Sequence, residues 1–91
     1  MELGHVGQTI TEKLSKALVP QALEVIDESH LHAGHAGARP EGETHFRVKI
    51  QAQAFVGKSL VQRHRLVNEV LAEELRGPVH ALAISASVPK D

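Results

Sequence analysis

The sequence predicts an α+β domain of element order αββαβ, a three-stranded sheet covered by two helices. Three observations carry that reading. Apolar residues recur at helical intervals near the N-terminus and again over residues 60–75, strict two-residue alternation runs over 44–53, and glycine or proline punctuates the junctions. A sheet face and two helix stripes that are each apolar must bury against one another, which gives a two-layer sandwich.

Each element follows from its residues. Thr9 and Glu12 have the spacing of a capping box, Ile10, Leu14, Ala17 and Leu18 continue the stripe, and Pro20 ends a helix over residues 9–18. Leu23 to Asp27 reads as a short strand. Residues 28–43 hold Gly34, Gly37, Gly42, Pro40 and three histidines, and read as a long loop joining two neighbouring strands. From Thr44 to Gln53, Phe46, Val48, Ile50 and Ala52 alternate with His45, Arg47, Lys49, Gln51 and Gln53, so this strand has one wet face. Phe55 to Lys58 is a turn, and Ser59 caps a helix whose stripe is Leu60, Val67, Leu71 and Leu75. Gly77 and Pro78 close it, and Val79 to Val88 is the last strand.

Composition narrows the chemistry. The 91 residues are the length of one domain and carry a net charge of −1, with only two aromatic residues, Phe46 and Phe55. Residues 1–45 are acidic with a net charge of −4, and residues 46–91 are basic with +3. The absence of cysteine excludes a disulfide framework, a thiolate zinc finger, a cysteine nucleophile and a self-contained cysteine-ligated iron–sulfur site. No apolar stretch is long enough to span a membrane and no secretion signal is evident. There is no P-loop, GxGxxG or HExxH motif and no Ser–His–acid signature, so the chain reads as a non-enzyme.

Seven histidines are the distinctive feature: His5, His30, His32, His35, His45, His64 and His80. His64 falls inside a helical apolar stripe between Arg63 and Arg65 and reads as a partly buried structural residue. His80 opens the last strand at the rim of the packed face, where a rigidly aimed ligand would sit. His30, His32 and His35 share the loop, whose spacing suits adventitious Zn²⁺ or Ni²⁺. His45 reads as a surface residue on the wet strand face, and His5 as part of a frayed terminus.

Four segments together carry a resemblance: LEVIDES at 23–29, THFRVKI at 44–50, FVGKSLVQRHRLVNEVLAEEL at 55–75 and GPVHALAI at 77–84. They resemble the BolA family, in its proteobacterial and mitochondrial branch, over about residues 8–88 of a single domain, 1–91. The resemblance implies a class II K-homology-like fold with a helix-turn-helix-like element. It departs from nucleic-acid-binding K-homology domains at Gly57-Lys58-Ser59-Leu60, which lacks the second glycine of the backbone-clamping loop.

The resemblance also implies a function. BolA-like proteins are partners of monothiol glutaredoxins, with which they bind or relay a [2Fe–2S] cluster. The family's histidine in GPVHAL matches His80, and its loop ligand matches His32, with His30 and His35 as neighbouring candidates. Thiolates would come from the glutaredoxin cysteine and from glutathione, and imidazole ligation would give a Rieske-like mixed site. The chain alone would be a monomer without cofactor, and a heterodimer with its partner. The family also includes transcription regulators, so the alternative is DNA binding through Lys58, Arg63, Arg65, Arg47 and Lys49. A cluster partner covering the same surface would then switch DNA binding. With no transit segment apparent, the expected location is the bacterial cytoplasm, or the mitochondrion for a eukaryotic source.

Overall fold

In the computed structural model, which describes residues 3–29 and 42–89, a mixed three-stranded sheet carries its helices on one face. The order is α1 (His5–Leu18), β1 (Ala22–Asp27), β2 (His45–Gln51), α2 (Leu60–Val70), α3 (Ala72–Arg76) and β3 (Ala81–Ser87). A 3-10 turn over Gln53–Phe55 links β2 to α2. Strand β2 is central. It pairs antiparallel with β1, Val48 opposite Val25, and parallel with β3, Val48 opposite Ile84.

The core lies between sheet and helices. Phe46, Val48 and Ile50 project from β2 and Ala86 from β3, against Ile10, Leu14 and Leu18 of α1 and Val67 and Leu71 of the second helical segment. Phe55 and Val79 close its two ends and are both buried. The alternation read from residues 44–53 therefore selects the correct buried set, because the pleat sends successive side chains to opposite faces.

Several boundaries differ from the sequence expectation. Helix α1 begins at His5, not Thr9, and Thr9 is no cap: its hydroxyl donates to the His5 carbonyl at 2.9 Å. The cap comes from Glu43, 37 residues along the chain, whose Oε1 accepts from the amides of Val6 at 2.7 Å and Gly7 at 3.3 Å. The carboxylate satisfies two orphan donors and sits where the helix dipole favours negative charge. Gly4 permits the approach, since a Cβ there would collide with the Glu43 carboxylate.

The helix expected over residues 60–75 is interrupted at Leu71, where φ is −101° and ψ 19°. The Leu71 amide still donates to the Val67 carbonyl, and that of Leu75 to Leu71, so the two segments remain nearly continuous. Ser59 caps α2 in a full capping box with Gln62. Leu60 does not join the buried stripe; it is exposed, because α2 begins beyond the end of the sheet and reaches it one turn later. Strand β3 starts at Ala81 because the Val79 amide is still held by the Glu74 carbonyl at 2.9 Å.

One ion pair fastens the helices. Lys13 Nζ on α1 donates to Glu74 Oε2 on α3 at 2.8 Å, with Glu73 at 3.6 Å. The hydrogen bond to Glu74 raises the Lys13 amine above its ordinary value of 10.5, with the charges of Glu74 and Glu73 adding to it against partial desolvation. No helix among the described residues is long and apolar enough to cross a membrane.

Two outcomes are expected. Glu43→Ala removes the long-range cap and lowers the free energy of unfolding by about 1 kcal/mol, read by urea denaturation. Because the Lys13 amine titrates higher folded than unfolded, its contribution is complete below pH 10.5 and lost as pH rises through the folded value. The stability gap between wild type and Lys13→Met therefore stays constant through neutral pH and narrows in strong alkali, as measured by denaturation across that range.

Candidate functional site

The candidate site forms where the chain returns from the β1–β2 loop and meets the start of β3. Three consecutive residues at the end of β1 grip the returning segment. Asp27 Oδ1 accepts from the Ser29 amide at 2.9 Å, and Oδ2 accepts from the Glu43 amide at 3.1 Å. The Glu28 amide donates to the His45 carbonyl at 2.8 Å, while its carboxylate pairs with Arg47 Nε at 2.9 Å. Ser29 Oγ accepts from the amides of Thr44 at 2.9 Å and His45 at 3.1 Å. Asp27 is suited to this, since one carboxylate oxygen closes a local turn on Ser29 while the other is left to accept from the returning chain.

His80 stands beside this junction. Val79, 3% exposed, anchors the preceding residue in the core. The His80 amide donates to the Thr44 carbonyl at 2.7 Å, which also accepts from Ala81 at 3.2 Å. The backbone is thus fixed on both sides while the imidazole is exposed. Among the described residues the neighbour of that imidazole is the ring of His45, its centroid 5.3 Å away and its plane tilted by 53°.

His45 corrects the sequence reading. It is 6% exposed, not a surface residue, and its ring stands against that of His80, a contact that strand parity alone does not reveal. Its Nδ1 lies 2.9 Å from Thr44 Oγ1. Adjacency of His45 and His80, 35 positions apart, is created by the parallel pairing of His45 with Ala81. Only that register could have revealed it. His32, with His30 and His35, lies outside the described residues. His64 is half-buried on α2, and His5 opens α1 in place of the frayed terminus expected there. Among the described residues no group of three or more His, Asp or Glu side chains is placed to hold a metal ion.

The five basic candidates do not form one surface. Arg47 and Lys49 alternate with the buried Phe46, Val48 and Ile50, so they project from the sheet face opposite the helices. There Arg47 pairs with Glu28, and Lys49 lies 4.0 Å from Glu24. Arg63 donates through Nε to the Lys58 carbonyl and through Nη1 to the Ala86 carbonyl, both at 3.1 Å. It therefore ties α2 to the far end of β3. Lys58 and Arg65 remain exposed there. His45 and His80 occupy the beginning of β2 and β3 and the Arg63 contact their end, so the two regions are separated by a strand length of about 20 Å.

Comparison with known proteins gives a consistent result. Residues 14–91 match the family model described as BolA-like protein. The chain is 54% identical over 86 residues to BolA-like protein 1 of Mus musculus, covering 94% of this chain and 60% of that protein. It is 50% identical over 93 residues to SufE-like protein 1, chloroplastic/mitochondrial, of Arabidopsis thaliana, covering 98% of this chain and 25% of that one. The chain thus spans a quarter to about three fifths of these relatives. Among solved structures, the BolA domain of SufE1 from Arabidopsis thaliana superposes with a TM-score of 0.88 at 51% identity, covering 97% of this chain and 96% of that one. The solution structure of BolA1 from Mus musculus gives 0.81 at 52%, covering 96% and 68%.

The junction predicts its own sensitivity. Ser29→Ala leaves two buried backbone amides without an acceptor, which costs about 1–3 kcal/mol of stability in denaturant unfolding. Ser29→Thr, which retains the hydroxyl, loses less.

Proposed function

The chain belongs to the BolA-like protein family, and from that premise we propose that it is a non-enzymatic partner of a monothiol glutaredoxin, contributing imidazole to a shared [2Fe–2S] cluster. The observation that carries the reading is His80: an exposed imidazole on a backbone fixed by the Thr44 carbonyl and by buried Val79. A ligand needs this combination, because the donor must be reachable while its position is held by residues that do not move.

The donor set fits the group. Iron in such a cluster takes thiolate or imidazole ligands. This chain has no cysteine, so it can offer only imidazole, and the thiolates fall to the glutaredoxin cysteine and glutathione. His80 supplies one ligand, and His32 of the β1–β2 loop supplies the second. Replacing thiolate by neutral imidazole lowers the negative charge of the cluster and raises its potential, which is the chemistry the cluster gains from this partner. The stems of that loop are anchored at the same end of the sheet as His80 by Asp27 and Ser29, which supports the choice of a loop histidine as the second ligand. The chain acts alone as a monomer and as a heterodimer with its partner. Its setting is the bacterial cytoplasm or, for a eukaryotic source, the mitochondrion, a location supported by the relative named chloroplastic/mitochondrial.

Cluster-loaded monothiol glutaredoxin titrated with this protein at neutral pH is expected to change its visible circular dichroism and saturate at one-to-one. His80→Ala folds normally, with unchanged far-ultraviolet dichroism, and leaves the cluster spectrum unmoved. A full spectral response from His80→Ala removes that residue as a ligand. No response from the wild type rejects the partnership and turns attention to DNA, for which the exposed cations are Lys58 in the turn before α2 and Arg65 on α2.

A further inference from the structure

Thr44 touches both histidines of the site through different atoms. Its carbonyl accepts from the His80 amide at 2.7 Å, and its hydroxyl lies 2.9 Å from Nδ1 of His45. Thr44 is itself 1% exposed, and its hydroxyl is 3.4 Å from that of Ser29. Its position is therefore set by the buried junction. The His45 backbone is equally constrained, its amide held by Ser29 Oγ and its carbonyl by the Glu28 amide. With the backbone pinned at both groups and one ring nitrogen at hydrogen-bond distance from a buried hydroxyl, the His45 imidazole is locked in place. Its tilted neighbour is the His80 ring at 5.3 Å.

We infer that Thr44 and His45 are positioning residues for His80: the Thr44 hydroxyl holds the His45 ring, and that ring restricts the orientations open to the exposed imidazole beside it. An exposed histidine at the start of a strand otherwise samples several staggered rotamers, and each must be abandoned when a ligand bond forms. A rigid ring on one side removes some of them in advance. The inference rests on the proposal that His80 is a ligand, and it adds the residues that aim it. Groups that orient a metal-binding histidine typically alter affinity by about 10- to 100-fold when removed.

The test separates the two claims. Thr44→Val keeps the shape and the carbonyl and deletes the hydroxyl; Thr44→Ser retains it. In the protein alone, NMR cross-peaks between the His45 and His80 rings are expected in the wild type and in Thr44→Ser, and weakened in Thr44→Val. In the circular-dichroism titration, Thr44→Val binds the cluster-loaded glutaredoxin about 10-fold more weakly, at unchanged spectral form, and Thr44→Ser binds as the wild type does. His45→Phe, which keeps a ring without nitrogen, loses affinity partially. Unchanged ring contacts and affinity in Thr44→Val overturn the inference, even where that variant is less stable to heat. Complete loss of the spectral response in His45→Phe, matching His80→Ala, also overturns it by making His45 a ligand. If the wild type gives no spectral response, the glutaredoxin reading fails, and the ring cross-peaks still decide whether Thr44 and His45 hold His80.

Discussion

The closure of the β1–β2 loop at its stems is the constraint on which the rest of the structure depends. Asp27, Glu28 and Ser29 each bond to a different part of residues 43–45, so the chain leaves and re-enters the sheet at one fixed point. A hairpin with so long a connection cannot draw its register from a tight turn. These side chain–backbone bonds do it instead. Asp27 opposes Phe46 as a result, and the apolar set of β2 faces the helices.

Consequences spread from that point in three directions. Glu43, positioned by the hydrogen bond its amide donates to Asp27, swings its carboxylate to the N-terminus of α1 and begins that helix one turn earlier than local signals allow. Thr44 receives the amides of His80 and Ala81 and so sets where β3 begins. His45 is buried at the start of β2 and becomes the wall beside His80. A loop anchor, a helix cap and the wall beside His80 thus share three consecutive residues.

The opposite end of the sheet is organised by other means. Arg63 bridges the turn before α2 to the end of β3 through two backbone carbonyls, a task for which the guanidinium fork is well shaped. Two other basic candidates, Arg47 and Lys49, serve cross-strand charge pairing on the open sheet face. The basic character of the C-terminal half is therefore distributed over separate structural tasks.

Local patterning in the sequence determined the elements and most of the core, because pleat and helix periods are properties of adjacent residues: Phe46, Val48 and Ile50 by alternation, Val67 and Leu71 by helical spacing, and the start of α2 by the cap residue Ser59. Strand position and the resemblance in residues 77–84 together drew attention to His80. Tertiary structure decided what depends on residues distant in the chain. The start of α1 hangs on Glu43, the backbone position of His45 on Ser29, and the meeting of His45 with His80 on a parallel strand register. Thr9 shows the limit most clearly. Its spacing to Glu12 satisfies a capping rule, yet a carboxylate 34 positions further on caps the helix first and leaves Thr9 inside it. A local rule yields wherever a distant side chain, brought close by the sheet, satisfies the same backbone groups better.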